Sequence, residues 1–201
     1  MENFNIETIT VGAFEENSYI VTIDNDLYLV DPGAESNRLI DSIEESEKQL
    51  KAVLLTHAHI DHISALPEIL QKYNVNVFLH KDDVPILNSP VNAFEPFYSS
   101  VHKHNIKTTD DFKALPFDVI TTPGHTKGGI CFYFKDQNVL ICGDTLFYGS
   151  IGRTDLPGGN FTQIQDSIKN KLFKLPEVTK VYSGHGPTTT IGYEKKHNMF
   201  I

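Results

Sequence analysis

Cysteine is scarce in this chain, and so are the features that would send it to a membrane, a secretory route or a nucleic acid. Only Cys131 and Cys142 occur. Each lies in an apolar, strand-like run, so they read as buried thiols of a reducing compartment rather than as a disulfide or a ligand pair. No apolar stretch approaches the length a membrane helix needs. The opening residues, Met1 to Phe14, show no basic segment ahead of a long apolar core, so no secretory signal is expected. Basic residues are outnumbered, 17 Lys and Arg against 26 Asp and Glu for a net charge of −9, and they form no cluster. Such a surface repels phosphate backbones, which argues against nucleic acid as a partner. No repeat, low-complexity segment or linker interrupts the 201 residues. A single cytoplasmic domain over 1–201 is the expectation, with the oligomeric state left open.

Hydrophobic residues make up 40% of the chain and charged residues 21%, enough apolar material for a proper core. Alternating patterns predict strands over Ile6–Phe14, Ser18–Ile23 and Leu27–Val30, the last ending at Asp31-Pro32-Gly33. From Ser36 the spacing of Leu39, Ile40 and Ile43 predicts one face of a helix, continued by polar residues to Gln49. A short apolar strand, Ala52–Leu55, then runs into Thr56-His57-Ala58-His59-Ile60-Asp61-His62. A helix should follow, with Ile63, Leu66, Leu70 and Tyr73 on one face and Pro67 tolerable only near its first turn. Further strands are expected at Asn76–Leu79, Asp118–Thr121, Ile130–Phe134, Val139–Cys142 and Val178–Tyr182, with a helix over Phe161–Leu172. Residues 88–116, holding Pro90, Phe94, Pro96, Phe97 and Tyr98, show the least pattern; loops of that length are usually functional or mobile. His102 and His104 in that segment are weak candidates for lining a pocket, whereas His80 and His197 carry no usable pattern. A sheet-rich start followed by alternating helices and strands suggests two sheets with helices packed outside.

The cluster His57-x-His59-x-Asp61-His62 is the strongest chemical signal. Imidazoles and a carboxylate suit a borderline-soft ion such as zinc. Side chains alternate in an extended segment, so His57 and His59 point the same way and can share one ion. Asp61 and His62 come where the chain turns into a helix and can reach a second, neighbouring position. Three more sites share one grammar, an apolar strand ending at glycine beside a ligand-type residue: Gly124-His125, Gly143-Asp144 and Gly184-His185. Each alone reads as turn chemistry. Together with the first cluster they make a set of seven. One ion would take His57, His59 and His125, the other Asp61, His62 and His185, with Asp144 bridging ions about 3.5–4 Å apart.

These motifs and their order resemble the metallo-β-lactamase superfamily across nearly the whole chain. Within it, Gly143-Asp144-Thr145-Leu146-Phe147, Gly152-Arg153-Thr154-Asp155 and Gly184-His185-Gly186-Pro187 are similar to the small glyoxalase II-like, or hydroxyacylglutathione hydrolase-like, hydrolases. The resemblance implies a four-layered αβ/βα sandwich with two mixed sheets and outer helices. It also implies the same seven metal ligands and two zinc ions, with iron or manganese as alternatives. Many β-lactamases of the fold place a cysteine on the second metal where this chain has Asp144, which argues against antibiotic hydrolysis as the main role. Glyoxalase II enzymes add a C-terminal helical region that holds glutathione. Here Thr188–Ile201 supplies one helix at most, so the thiol half of the substrate stays open. Arg153, in the loop after Asp144, is a candidate anchor for an anionic substrate or, equally, a loop brace paired with Asp155.

The expected reaction is hydrolysis of a small thioester such as S-lactoylglutathione by metal-bound hydroxide, with Asp61 as ligand and orienting catalytic group. A thiol ionises at a pKa of roughly 8.5, so it departs without a dedicated acid. Two alternatives stand beside this. One is a mononuclear iron persulfide dioxygenase using His57, His125 and Asp144, against which Gly184-His185-Gly186-Pro187 speaks. The other is a lactonase.

Overall fold

The computed structural model describes residues 3–87, 89 and 106–201. Strands β1 (Phe4–Val11), β2 (Glu16–Ile23) and β3 (Asp26–Val30) pair antiparallel. The first strand stops at Val11, three residues short of the alternation limit at Phe14. Gly12 and Glu15 both take positive φ (68° and 51°), so the reversal begins there and leaves Phe14 exposed. Helix α1 (Ser36–Glu45) returns the chain to β4 (Gln49–Leu54), which lies parallel to β3. The polar run after Glu45 is not helical, because Glu47 turns at positive φ into β4.

Past the histidine cluster the expected single helix is two: α2 (Ile60–Ile63) and α3 (Leu66–Lys72). Pro67 sits in the first turn of α3, where its missing N–H costs nothing; inside one continuous helix it would have broken the ladder. Strands β5 (Asn76–Phe78) and β6 (Ile106–Lys107) complete a sheet ordered β1-β2-β3-β4-β5-β6. A six-residue 3-10 segment, Thr109–Ala114, capped by reciprocal Thr108 and Asp111 bonds, follows. Regular structure thus occupies part of the stretch that looked irregular. Pro90, Phe94, Pro96, Phe97, Tyr98, His102 and His104 lie outside the described residues.

The second half runs β7 (Asp118–Thr121), β8 (Ile130–Phe134), β9 (Val139–Gly143), a hairpin of β10 (Leu146–Phe147) and β11 (Ser150–Ile151), and α4 (Phe161–Asn170). Strands β12 (Lys180–Ser183) and β13 (Thr189–Thr190) and helix α5 (Ile191–His197) end it. The second sheet is ordered β13-β12-β9-β8-β7.

Side-chain alternation builds the layers. Tyr19, Val21, Tyr28, Val30 and Leu54 meet Ile130, Phe132 and Ile141 between the sheets. Ile20, Leu27, Leu29 and Val53 face the other way, against Leu39 and Ile43 of α1 and Leu66 and Ile69 of α3. Cys131, Leu140 and Cys142 face Ile164 and Ile168 of α4. Both cysteines are buried and free, as expected from their strands. Strands buried on both faces explain the apolar runs, and each large side chain enclosed this way is worth about 1.5–3 kcal/mol. The result is a four-layered αβ/βα sandwich of two mixed sheets.

Candidate metal centre

The site lies where strands of both sheets end. The residues after β4 carry His57, His59, Asp61 and His62; the turn after β7 carries His125; the end of β9 carries Asp144, and the end of β12 carries His185. A polar atom at a strand terminus has no further ladder partner and can turn into a cleft. The glycines before these side chains allow the approach. A Cβ on Gly184 would lie 2.2 Å from Asp144 Oδ1 and 2.7 Å from His62 Cε1.

The seven residues gather as two adjoining groups of three with Asp144 between them. His57, His59 and His125 offer ligand atoms within 4.8 Å of one another, and so do Asp61, His62 and His185. His59 Nδ1 and His125 Nε2 converge to 2.9 Å. Asp61 Oδ2 lies 3.2 Å from His185 Nε2. Asp144 stands between the groups: Oδ1 is 3.4 Å from His62 Nε2, and Oδ2 is 3.6 Å from His125 Nε2 and 3.8 Å from His185 Nε2. A third combination, Asp31 with His57 and His62, falls within the same reach. Asp31 is already engaged, however. Its Oδ1 accepts the Thr56 N–H at 2.7 Å, and its Oδ2 accepts the Thr56 hydroxyl and lies 2.9 Å from His62 Nδ1. It is a brace that aims His62 Nε2 at the cleft.

The chemistry of these donors fits cations. His57 Nε2, His59 Nε2, His62 Nε2 and Asp144 Oδ1 are buried without a hydrogen-bond partner, an arrangement that costs free energy unless something satisfies it. Burial, reinforced by the neighbouring imidazoles, pulls His57 well below the usual histidine range and His59 down to about 4. Both are therefore neutral lone-pair donors at pH 7. Burial also opposes protonation of His62 and His185. The Asp144 and Asp31 carboxylates around His62, and the Asp61 and Asp144 carboxylates around His185, outweigh it and raise both. Asp144 and Asp61 are lowered by the same histidines in spite of burial. The carboxylates thus favour positive charge in the second group, which divalent ions would supply in place of protons.

Several residues that the sequence reading missed hold this geometry. Asn17 donates through Nδ2 to the carbonyls of Ser183 (3.2 Å) and Gly186 (3.0 Å), and its N–H bonds the Gly184 carbonyl at 2.8 Å, so it frames the His185 turn. Tyr19 OH also donates to Ser183 O, and Phe14 O accepts from His185 Nδ1 at 3.0 Å. Glu16 is buried beside His62, and burial pushes its carboxyl well above the carboxylate range. Asp83, fully buried, joins the loops around Ala58 and Thr126. In sequence, Asp31-Pro32-Gly33 signals only a turn, and nothing marks Asn17 or Asp83 as anything but ordinary polar residues. Arg153 makes a two-pronged bond to Asp155 (both 2.8 Å) on the exposed surface, while its carbonyl accepts from His125 Nδ1 at 2.7 Å. The backbone, not the guanidinium, is what reaches the site.

Two sheets stacked between helices, with histidines and carboxylates converging at their strand ends, are the architecture of a metal-dependent hydrolase. The chain belongs to the metallo-β-lactamase superfamily, whose sequence profile matches residues 11–185. It is 38% identical over 199 residues to the probable metallo-hydrolase YqgX of Bacillus subtilis (strain 168), spanning 95% of this chain and 94% of that one. It is 37% identical over 210 residues to hydroxyacylglutathione hydrolase GloC of Haemophilus influenzae, spanning 98% of each. Among solved structures it superposes on the BLEG-1 B3 metallo-beta-lactamase with a TM-score of 0.90 and 35% identity, over 98% of this chain and 99% of that one. TTHA1623, solved in a di-iron-bound form, gives 0.89 and 33%, over 97% and 100%. Among the described residues no helix is long and apolar enough to cross a membrane.

Proposed function

We propose that this chain is a binuclear thioester hydrolase of the glyoxalase II-like type, acting on a small acyl thioester such as S-lactoylglutathione. The observation that carries the reading is Asp144, lying 3.4–3.8 Å from His62, His125 and His185 and so shared between two groups of donors. His57, His59 and His125 would hold one ion, Asp61, His62 and His185 the other. The likeness to a hydroxyacylglutathione hydrolase supports the thioester, and the di-iron form of TTHA1623 supports two ions, with iron beside zinc and manganese as the native metal. Cations held there would bring the pKa of a bound water down to about 7 and draw charge from a carbonyl oxygen.

The chain's own residues do the rest. Asp61 is partly exposed beside His185 Nε2, 3.2 Å away; with one oxygen toward the ion this group would hold, its other oxygen can accept a hydrogen bond from the attacking water and fix its direction. Neutral His57 and His59 keep lone pairs available rather than protons. A thiolate leaves unaided near neutral pH, so the described residues need no dedicated acid for this reaction. Arg153, whose exposed guanidinium lies outside the donor cluster, is the proposed anchor for a carboxylate on a part of the substrate extending beyond it, which would take the place of Asp155.

The test is release of free thiol from S-lactoylglutathione and from a neutral acyl thioester, with oxygen uptake and metal content measured in parallel. Thiol release without oxygen uptake, at two ions per chain, is the expected result. Oxygen consumption with glutathione persulfide, one iron and no thioester cleavage would replace the reading with a dioxygenase. The likeness to BLEG-1 favours a second assay, with a chromogenic β-lactam: the same nucleophile can open a strained amide, and turnover exceeding that of thioesters would make lactam hydrolysis the main activity.

A further inference from the structure

The three histidines of the first group come from different sheets, His57 and His59 from the end of β4 and His125 from the turn after β7. Their common aim depends on how firmly the two sheets are joined at this edge. One backbone bond, Ile130 N–H to Thr56 O at 2.9 Å, crosses the seam nearby. The loops that bear the histidines are joined by a side chain from neither: Asp83, 0% exposed, just beyond β5. Its Oδ2 accepts the Ala58 N–H at 3.3 Å, between His57 and His59, and the Thr126 hydroxyl at 2.8 Å, next to His125. Its Oδ1 accepts the Gly128 N–H at 2.7 Å. The approach is so close that a Cβ on Gly128 would stand 2.7 Å from that oxygen. All three partners are donors, and a carboxylate is the side chain that can accept from all of them at once.

We infer that Asp83 is the positioning residue of the three-histidine group, setting the separation of the His57/His59 loop from the His125 loop and thereby the affinity of that group for its ion. The inference rests on the two-ion reading above. It predicts an asymmetric effect, because Asp83 braces the His57/His59/His125 side, whereas Asp31 aims His62. Asn is the informative substitution. Its shape is retained, but its amide nitrogen must face either Gly128 N–H or Ala58 N–H, so donor meets donor and one loop is pushed away.

Metal-free protein is titrated with cobalt(II) by calorimetry for the wild type and Asp83→Asn, each also in a His185→Ala background, where the three-histidine group is the intact one. The expected result is a roughly 10- to 100-fold weaker affinity for one of two equivalents, the same equivalent that survives His185→Ala. Thr126→Val removes a single donor and keeps the test open should Asp83→Asn fail to fold; a several-fold loss at that equivalent is expected. Unchanged cobalt affinities with a lowered unfolding midpoint would make Asp83 an ordinary core brace and overturn the inference. Equal weakening of both equivalents would do the same. A wild type that binds no cobalt would remove the two-ion reading itself, and the inference with it.

Discussion

Single atoms decide much of this site. The space beside Gly184 is already filled by Asp144 Oδ1 and His62 Cε1, so Gly184→Ala must displace the carboxylate proposed to lie between the ions or a proposed ligand of the second group. We expect a folded protein whose thioester turnover falls on the order of 10²-fold, since misplacing a reacting group by about 1 Å costs that much; wild-type kinetics with unchanged circular dichroism would refute it. Asp61→Asn should lower kcat by about 10²-fold or more, because an amide both binds a cation poorly and presents a donor on one side. Unaltered turnover in this variant would leave Asp61 as a turn residue. Arg153→Ala should raise KM for anionic thioesters several-fold more than for neutral ones. Equal effects on the two substrates would mean that its pairing with Asp155 only steadies the loop.

Whole segments are held by groups far away in sequence. The start of β2 reads as the rim of a hairpin, yet Glu16, Asn17 and Ser18 are all buried. Asn17 fastens the turn from Ser183 to Gly186. Asn17→Ala leaves those carbonyls without their donor, and we expect about 1–3 kcal/mol lower stability by urea titration, together with weaker binding of the ion that His185 would hold. Stability unchanged within error would show that water replaces the amide. Helix α4 is capped by Asn160, whose Oδ1 accepts Gln163 N–H at 3.0 Å. Element positions followed from periodicity because burial on one face repeats locally. Their ends did not: Glu15 and Glu47 turn at positive φ without glycine, and the chain breaks between α2 and α3 one turn beyond the histidine cluster.

For the molecule as a whole, the candidate metal centre lies on the seam between two sheets that also meet through apolar packing and a few polar braces, Asn17 and Asp83 among them. Ions bound there would therefore tie layer to layer. Stripping metal with a chelator should lower the unfolding midpoint, and restoring cation to 100 times its dissociation constant should return about 2.7 kcal/mol. A midpoint indifferent to metal would mean that the seam is held by Asp83, Asn17 and the core alone. Two sheets with helices outside were foreseeable from the order of strands and helices, and the four-layered sandwich was implied by the resemblance to the superfamily. Part of the 88–116 stretch was misjudged because a two-residue strand and a 3-10 turn leave no period to detect.

The histidines and aspartates of the centre were readable from the chain, because strand ends, glycines and ligand-type side chains lie next to one another and their spacing is a local property. So were most strands and helices, whose periodicity is repeated locally along the chain. The braces were not readable. Asp31, Asn17 and Asp83 are ordinary polar residues in sequence, and each acquires its role from a partner 25 to 169 positions away. A buried hydrogen bond depends on where two backbones pass in space, and that is settled by the packing of both sheets, not by any stretch of neighbours along the chain.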